Sequence, residues 1–245
     1  MNDSGTTKGT IQFQLWGIPV VIHPMSWIIL AVIGGGLGIS DRDSLVQVLC
    51  FVAAGMLTLL AHEFGHALVG RSLGGGNASI IIAGMGGLTH HERTPSSRLN
   101  YFITVLAGPL ASLLLGIIGG ALLGLQLGHI GMGIQLSLTL PVGTISPEAA
   151  SILINSDISL TLFKLYAALF LTCFWWSVFN LLPILPLDGG RLLVTLLQND
   201  RLVCLIGLTI CGILVLWSLI SGSWFNFLIT GYLGWLNWQF YRARA

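Results

Sequence analysis

The sequence predicts an all-α membrane protein of about six transmembrane helices, with a short membrane-associated β-element between the second and third. Three observations carry that expectation. Of 245 residues, 54% are hydrophobic and 8% charged, against roughly 25% charged in a soluble domain. Ten basic and nine acidic side chains cannot clothe a globular surface in water, and a mean hydropathy of +0.88 makes the bilayer the main solvent. The apolar residues also gather into stretches of spanning length, at 18–39, 45–69, 101–127, 160–182, 202–220 and 224–240, where about 20 residues cross the hydrocarbon.

Taken in order, the first stretch follows a polar tail, residues 1–10. It exceeds the roughly 7–15 residues of a signal-peptide core and reads as an uncleaved span. The second carries three ionisable residues within five positions, discussed below. The third holds five glycines, and the spacing Gly116-x-x-x-Gly120 suits close helix packing. The fourth runs into Pro183 and Pro186, which cannot continue a helix. Trp217, Trp224, Trp235 and Trp238 near the last two spans suit anchoring at the membrane interface. The connectors 70–100 and 128–159 hold no large soluble domain, so residues 1–245 read as one membrane-embedded domain without internal repeats.

Charge sets expectations about partners and orientation. A net charge of +1 argues against a nucleic-acid partner; the lipid bilayer is the expected surroundings. With six spans, one side holds Lys8, Arg71, Arg93, Arg98, Arg191, Arg201, Arg242 and Arg244, the other only Arg42 and Lys164. The excess places both termini in the cytoplasm. Cys50, Cys173, Cys204 and Cys211 lie in or beside apolar stretches without metal-finger or redox spacing, and read as small hydrophobes.

The chemistry is written in the second span. His62-Glu63-Phe64-Gly65-His66 matches H-E-x-x-H. On a helix, residues four apart share a face, so two imidazoles can hold one Zn²⁺ with Glu63 toward its water. Ionisable side chains inside a span cost ~3 kcal/mol or more each and are functional by default. Zinc in a catalytic site takes a third protein ligand and keeps a fourth position open. The extended H-E-x-x-H-x-x-G-x-x-H pattern fails, because Val69 and Ser72 stand where its Gly and third His belong. Asp188, after the two prolines and before Gly189-Gly190, is the leading third ligand. Its alternative use is to cap the helix that follows. Glu92, beside His90 and His91, is the rival ligand. His66 lies five residues before Arg71, about 8 Å at 1.5 Å per residue, so His66 and Asp188 share the cytoplasmic end.

With these residues in view, the chain resembles the site-2 protease family of intramembrane zinc metalloproteases. The resemblance is carried by His62–His66, by the stretch 180–190, which is similar to N-x-x-P-x-P-x-x-D-G, and by Ala107-Gly108-Pro109. It is carried further by the glycine turn Gly84-Met85-Gly86-Gly87 after the strand-like run 79–83. The resemblance implies that His62, His66 and Asp188 bind one Zn²⁺ and that Glu63 is the general base. It implies that Asn180 steadies the reacting centre or holds the substrate strand. Ser79, Ile80, Ile81, Ile82, Gly86 and Gly87 would form the β-element that pairs with an unwound substrate, a transmembrane segment of a single-span membrane protein. His23 resembles the family's His near the start of the first span, and Ser112 stands where many relatives carry Asn. Two other readings are a membrane-embedded zinc hydrolase for another substrate class and a metal carrier. The first should use Glu rather than Asp188, and the second would spread its ligands along a through-path.

Overall fold

The computed structural model describes residues 9–95 and 97–243. Residues 1–8, with Lys8 of the charge argument, and Arg244 lie outside the described residues. In chain order the strands are β1 (Ile11–Leu15), β2 (Ile18–Ile22), β3 (Ala78–Ala83) and β4 (Gly86–His91). The helices are α1 (Pro24–Ile33), α2 (Arg42–Gly70), α3 (Arg98–Gln126), α4 (Ile130–Thr139), α5 (Pro147–Ile154), α6 (Leu160–Asn180), α7 (Asp188–Leu197), α8 (Asp200–Ile220) and α9 (Trp224–Ala243).

Among the described residues, four helices are long and apolar enough to cross a membrane: α2 with its continuation to Gly75, α3, α6 and α8. They become five if α4 with its 3₁₀ continuation and α5, bent by 108°, count as one span; the connector expected over 128–159 is therefore helical. The helix α9 is 20 residues long but carries Asn226, Asn237 and Gln239 among its apolar residues, and it is not one of the four.

The first expected span, residues 18–39, is not one helix. Its β-branched start, Ile18 and Val20-Val21-Ile22, forms β2. Positive φ at Trp16 (51°) and Gly17 (75°) closes a two-residue hairpin that pairs β1 with β2. Pro24, tolerated in a first helical turn, then opens the ten-residue α1, about 15 Å long.

The sheet runs β1-β2-β3-β4, with β2 parallel to β3 (Val20 opposite Ile80) and the other pairs antiparallel. It is thus larger than the β-element expected between α2 and α3. Ile18, Val20, Ile22, Ile80 and Ile82 point to one face and pack on Met56, Leu59, Phe64 and Ala67 of α2. That packing lays β4 beside the helix that carries the H-E-x-x-H residues.

The helix α2 begins with a capping box: Asp41 Oδ1 accepts from the Ser44 amide at 2.8 Å and Ser44 Oγ accepts from the Asp41 amide at 3.1 Å. It ends in a π-turn, Arg71–Gly75. Hydroxyl pairs join helices of the bundle. Thr58 Oγ1 meets Thr172 Oγ1 at 2.9 Å between α2 and α6, and Ser112 Oγ meets Ser177 Oγ at 2.7 Å between α3 and α6. Such contacts are worth about 0.6–2 kcal/mol each inside a membrane. Gly116 packs on Cys173 and Gly120 on the α4 backbone at Gly133, so this spacing serves close helix approach. All four cysteines are buried.

Candidate metal centre

His62, Glu63 and His66 sit in the last third of α2, and all three are buried. The i,i+4 spacing brings the two imidazoles together, with Nε2 atoms 3.1 Å apart. Two glycines make room for them. Gly65 lets the α3 backbone at Ala107 close in, and Gly108 lies flush on the His66 ring, where a Cβ would overlap it. The Ala107-Gly108-Pro109 motif is therefore a bed for the imidazole. The Thr104 carbonyl of α3 lies 2.8 Å from His66 Nδ1.

Asp188 reaches the same point from α7. After α6 ends at Asn180, Pro183 and Pro186 keep the chain out of a helix, and Asp188 opens the next one. Gly189 and Gly190 pack directly on the backbone at Leu181 and Ile184, folding the turn tightly. The N-cap of α7 is Leu187 and no side chain caps the helix, so the capping alternative for Asp188 is not what the structure contains. Its Oδ2 instead lies 3.0 Å from His62 Nε2 and 3.2 Å from His66 Nε2.

These three residues fit a metal ion on hydrogen-bond accounting. A carbonyl only accepts, so Thr104 O fixes the His66 proton on Nδ1 and leaves Nε2 a bare lone pair in the neutral ring. That lone pair faces Asp188 Oδ2, a buried oxygen that accepts no hydrogen bond. Two acceptors at 3.2 Å repel unless a cation lies among them. Two nitrogens and a carboxylate oxygen are the donors zinc takes in open sites, and neighbouring ligand atoms then lie about 3.3 Å apart. Among the described residues His62, His66 and Asp188 form the group of three that could hold an ion.

Glu63 is held from the sheet. Thr89 Oγ1 donates to Glu63 Oε2 at 2.7 Å, and the Gly87 backbone lies so close to the Glu63 side chain that a Cβ there would overlap it. Alternate residues of β4 thus face α2: Gly87 and Thr89 meet Glu63, and the His91 ring packs on Gly70. Thr89 was not among the residues picked out from the sequence, although the strand period of two from Gly87 would have pointed to it. Asn180 borders the same cavity and donates from Nδ2 to Trp176 O at 2.9 Å.

Several expectations need correction. β3 is an interior strand with β2 on one side and β4 on the other, and Ile80 and Ile82 are buried under the sheet. Ser79, Ile80, Ile81 and Ile82 therefore present no free strand edge to a substrate; the terminal strand beside the site is β4, with Gly86 and Gly87. Glu92 is no ligand. It is exposed and accepts from the Asn77 side chain at 2.9 Å and from the Asn77 amide at 3.2 Å. The Asn77 side chain, then its amide, holds the Glu92 carboxyl below the ordinary carboxylate range. His90 is exposed, and His23, whose amide donates to Ile82 O at 2.9 Å, extends the β2–β3 pairing.

The centre lies in a cavity of about 930 Å³ bordered by β4, α2, α3, α6, α7 and α9. A second, apolar groove of about 580 Å³ shares Met85, Trp176, Phe179, Phe225 and Ile229 with it.

Comparison with known proteins matches residues 50–211 to peptidase family M50. The zinc metalloprotease MJ0392 of Methanocaldococcus jannaschii is 25% identical over 219 residues, 85% of this chain and 53% of that protein. A relative from Synechocystis sp. is 31% identical over 189 residues, covering 74% of this chain and 42% of its own. The chain thus spans about half the length of the curated relatives it matches. The solved structure of a site-2 protease from Methanocaldococcus jannaschii superposes with a TM-score of 0.55 at 22% identity, covering 95% of both chains, and so shares the fold.

Proposed function

Because this chain belongs to peptidase family M50, we propose that it is an intramembrane zinc endopeptidase that cleaves transmembrane segments of single-span membrane proteins. The convergence of His62, His66 and Asp188 on one buried point beside Glu63 carries this reading. The ion would be held by His62 Nε2, His66 Nε2 and Asp188 Oδ2. When bound, zinc supplies a Lewis acid for the scissile carbonyl and brings the pKa of water down to near 7.

The chain's own residues do the rest. Glu63 is the general base: its Oε1 takes a proton from the attacking water and returns it to the leaving amine, while Thr89 holds Oε2. Thr104 O orients His66, and the closely packed Gly108 keeps that ring from rotating. Asn180 borders the cavity and would hold the substrate's backbone near the reacting bond.

A peptide bond inside an intact helix has its carbonyl occupied, so the substrate must unwind before it is cut. β4 ends the sheet, and its backbone at Gly86 and Gly87 can take the unwound segment as an added strand. The apolar groove continuous with the catalytic cavity offers the remaining helical part of a substrate an apolar wall. Arg71, Arg93, Arg98, Arg191 and Arg201 gather at the end of the bundle that carries the site, which supports a multi-pass protein with the site toward the cytoplasmic face.

The test is cleavage of a single-span model substrate by the purified chain in lipid vesicles. Removing zinc with a chelator should stop the cut and adding zinc should restore it. Cleavage that continues at full rate without metal overturns the proposal.

A further inference from the structure

Asn237 is fully buried in α9, and every hydrogen of its carboxamide is used. Its Oδ1 accepts from the Leu185 amide at 3.2 Å, and its Nδ2 donates to Leu185 O and, at 2.9 Å, to Leu233 O of its own helix. The side chain thus reads both polar groups of one residue, as a neighbouring strand would. A flipped amide would set donor on donor and acceptor on acceptor, so the contact has one orientation.

That residue is three positions before Asp188. Pro183 and Pro186 carry no N–H, and in the loop between α6 and α7 the Ile184 amide donates to Leu182 O and the Leu187 amide to Ile184 O, which leaves the Leu185 amide to Asn237. Ile184 and Leu185 are packed between α8 and α9, in two apolar clusters with Leu233 and with Phe240. The helix α8 contributes a vacancy: Gly207 faces Asn237, and a Cβ there would stand 2.5 Å from its Oδ1. On the same helix as Asn237, Phe225, Ile229, Tyr232 and Leu233 border the catalytic cavity.

We propose that Asn237 is a positioning residue for the third metal ligand: it ties the last helix, a wall of the cavity, to the loop that aims Asp188 at the two histidines. The grip on the ion and the seat of α9 are then linked. A displaced α9 releases Leu185 and loosens Asp188, and by reciprocity a bound ion holds α9 against the cavity. This rests on the metal-centre reading above.

The experiment measures zinc affinity of the purified full chain by chelator competition, and the ligand-field spectrum after cobalt(II) substitution. Asn237→Leu and Gly207→Ala, which disturb the clamp from opposite sides, should each weaken zinc by about tenfold or more and shift the cobalt bands. Hydrogen exchange at residues 184–187 should quicken in both. Thr230→Val removes a buried hydroxyl of α9 that bonds only its own helix, and it should keep wild-type affinity and spectrum. If Asn237→Leu does not fold, Gly207→Ala decides. Wild-type affinity and spectrum in the clamp variants overturn the proposal, as does an equal loss in Thr230→Val. Asp188→Ala separates the two readings: if it too keeps zinc, the metal centre itself is misassigned.

Discussion

The Thr89 hydroxyl lies 2.7 Å from Glu63 Oε2 and 3.1 Å from Glu63 O. One strand residue therefore touches both the carboxylate and the main chain of the proposed base. Glu63 stands in the middle of a helix, where a free carboxylate would rotate among several rotamers; the hydroxyl and the adjacent Gly87 remove that choice. The sheet thereby fixes the proposed base without supplying a residue to the metal-binding group.

Glu63→Gln keeps the shape and removes the basic oxygen. Bound zinc should stay at one per chain by elemental analysis, while cleavage should fall by about 10²-fold or more. Normal turnover would remove Glu63 from the base role.

Thr89→Val keeps the β-branched shape that β4 favours and deletes the hydroxyl. Cleavage is expected to drop about 10- to 100-fold with zinc content unchanged, and Thr89→Ser should recover much of the loss. Equal loss in both variants would mean that packing, rather than the hydrogen bond, is at work.

Gly108→Ala puts a methyl where the His66 ring lies. Either the ring or α3 must shift, so zinc affinity should fall and the melting temperature should fall with it. Zinc titration monitored by calorimetry checks this; unchanged affinity would mean that α3 can retreat without disturbing the ligand.

Asp188→Asn should strip zinc, whereas Glu92→Gln should leave it in place, because Glu92 is engaged with Asn77 on the exposed surface. Zinc content of the two purified variants distinguishes the ligand from its rival. The opposite pattern would transfer the third ligand to the connector between α2 and α3.

Local spacing made some of this readable and hid the rest. His62 and His66 were legible because one helical turn places both on one face. Asp188 was legible because two prolines must break the helix before it. The start of the chain was not: Ile18–Ile22 is a continuous apolar run, which reads as a buried strand or as part of a spanning helix until its partner is known. Here the partner is Ile80–Ile82. Thr89 and Asn237 were hidden for a related reason, since each acts on a residue far away in sequence: Thr89 on Glu63, Asn237 on Leu185. Neither has a motif around it. The apolar connector over 128–159 concealed α4 and α5, whose 108° bend divides the hydropathy signal.

The parallel register of Val20 with Ile80 has a temporal consequence. The ribosome must deliver sixty further residues, α2 among them, before β2 can find its neighbour. Until then the first hairpin waits at the membrane with an open flank, and the long loop must close before any pairing energy returns. Completion of the sheet that carries Thr89 is thus delayed until two segments sixty residues apart have met, and it still precedes synthesis of Asp188, the last residue of the proposed metal centre.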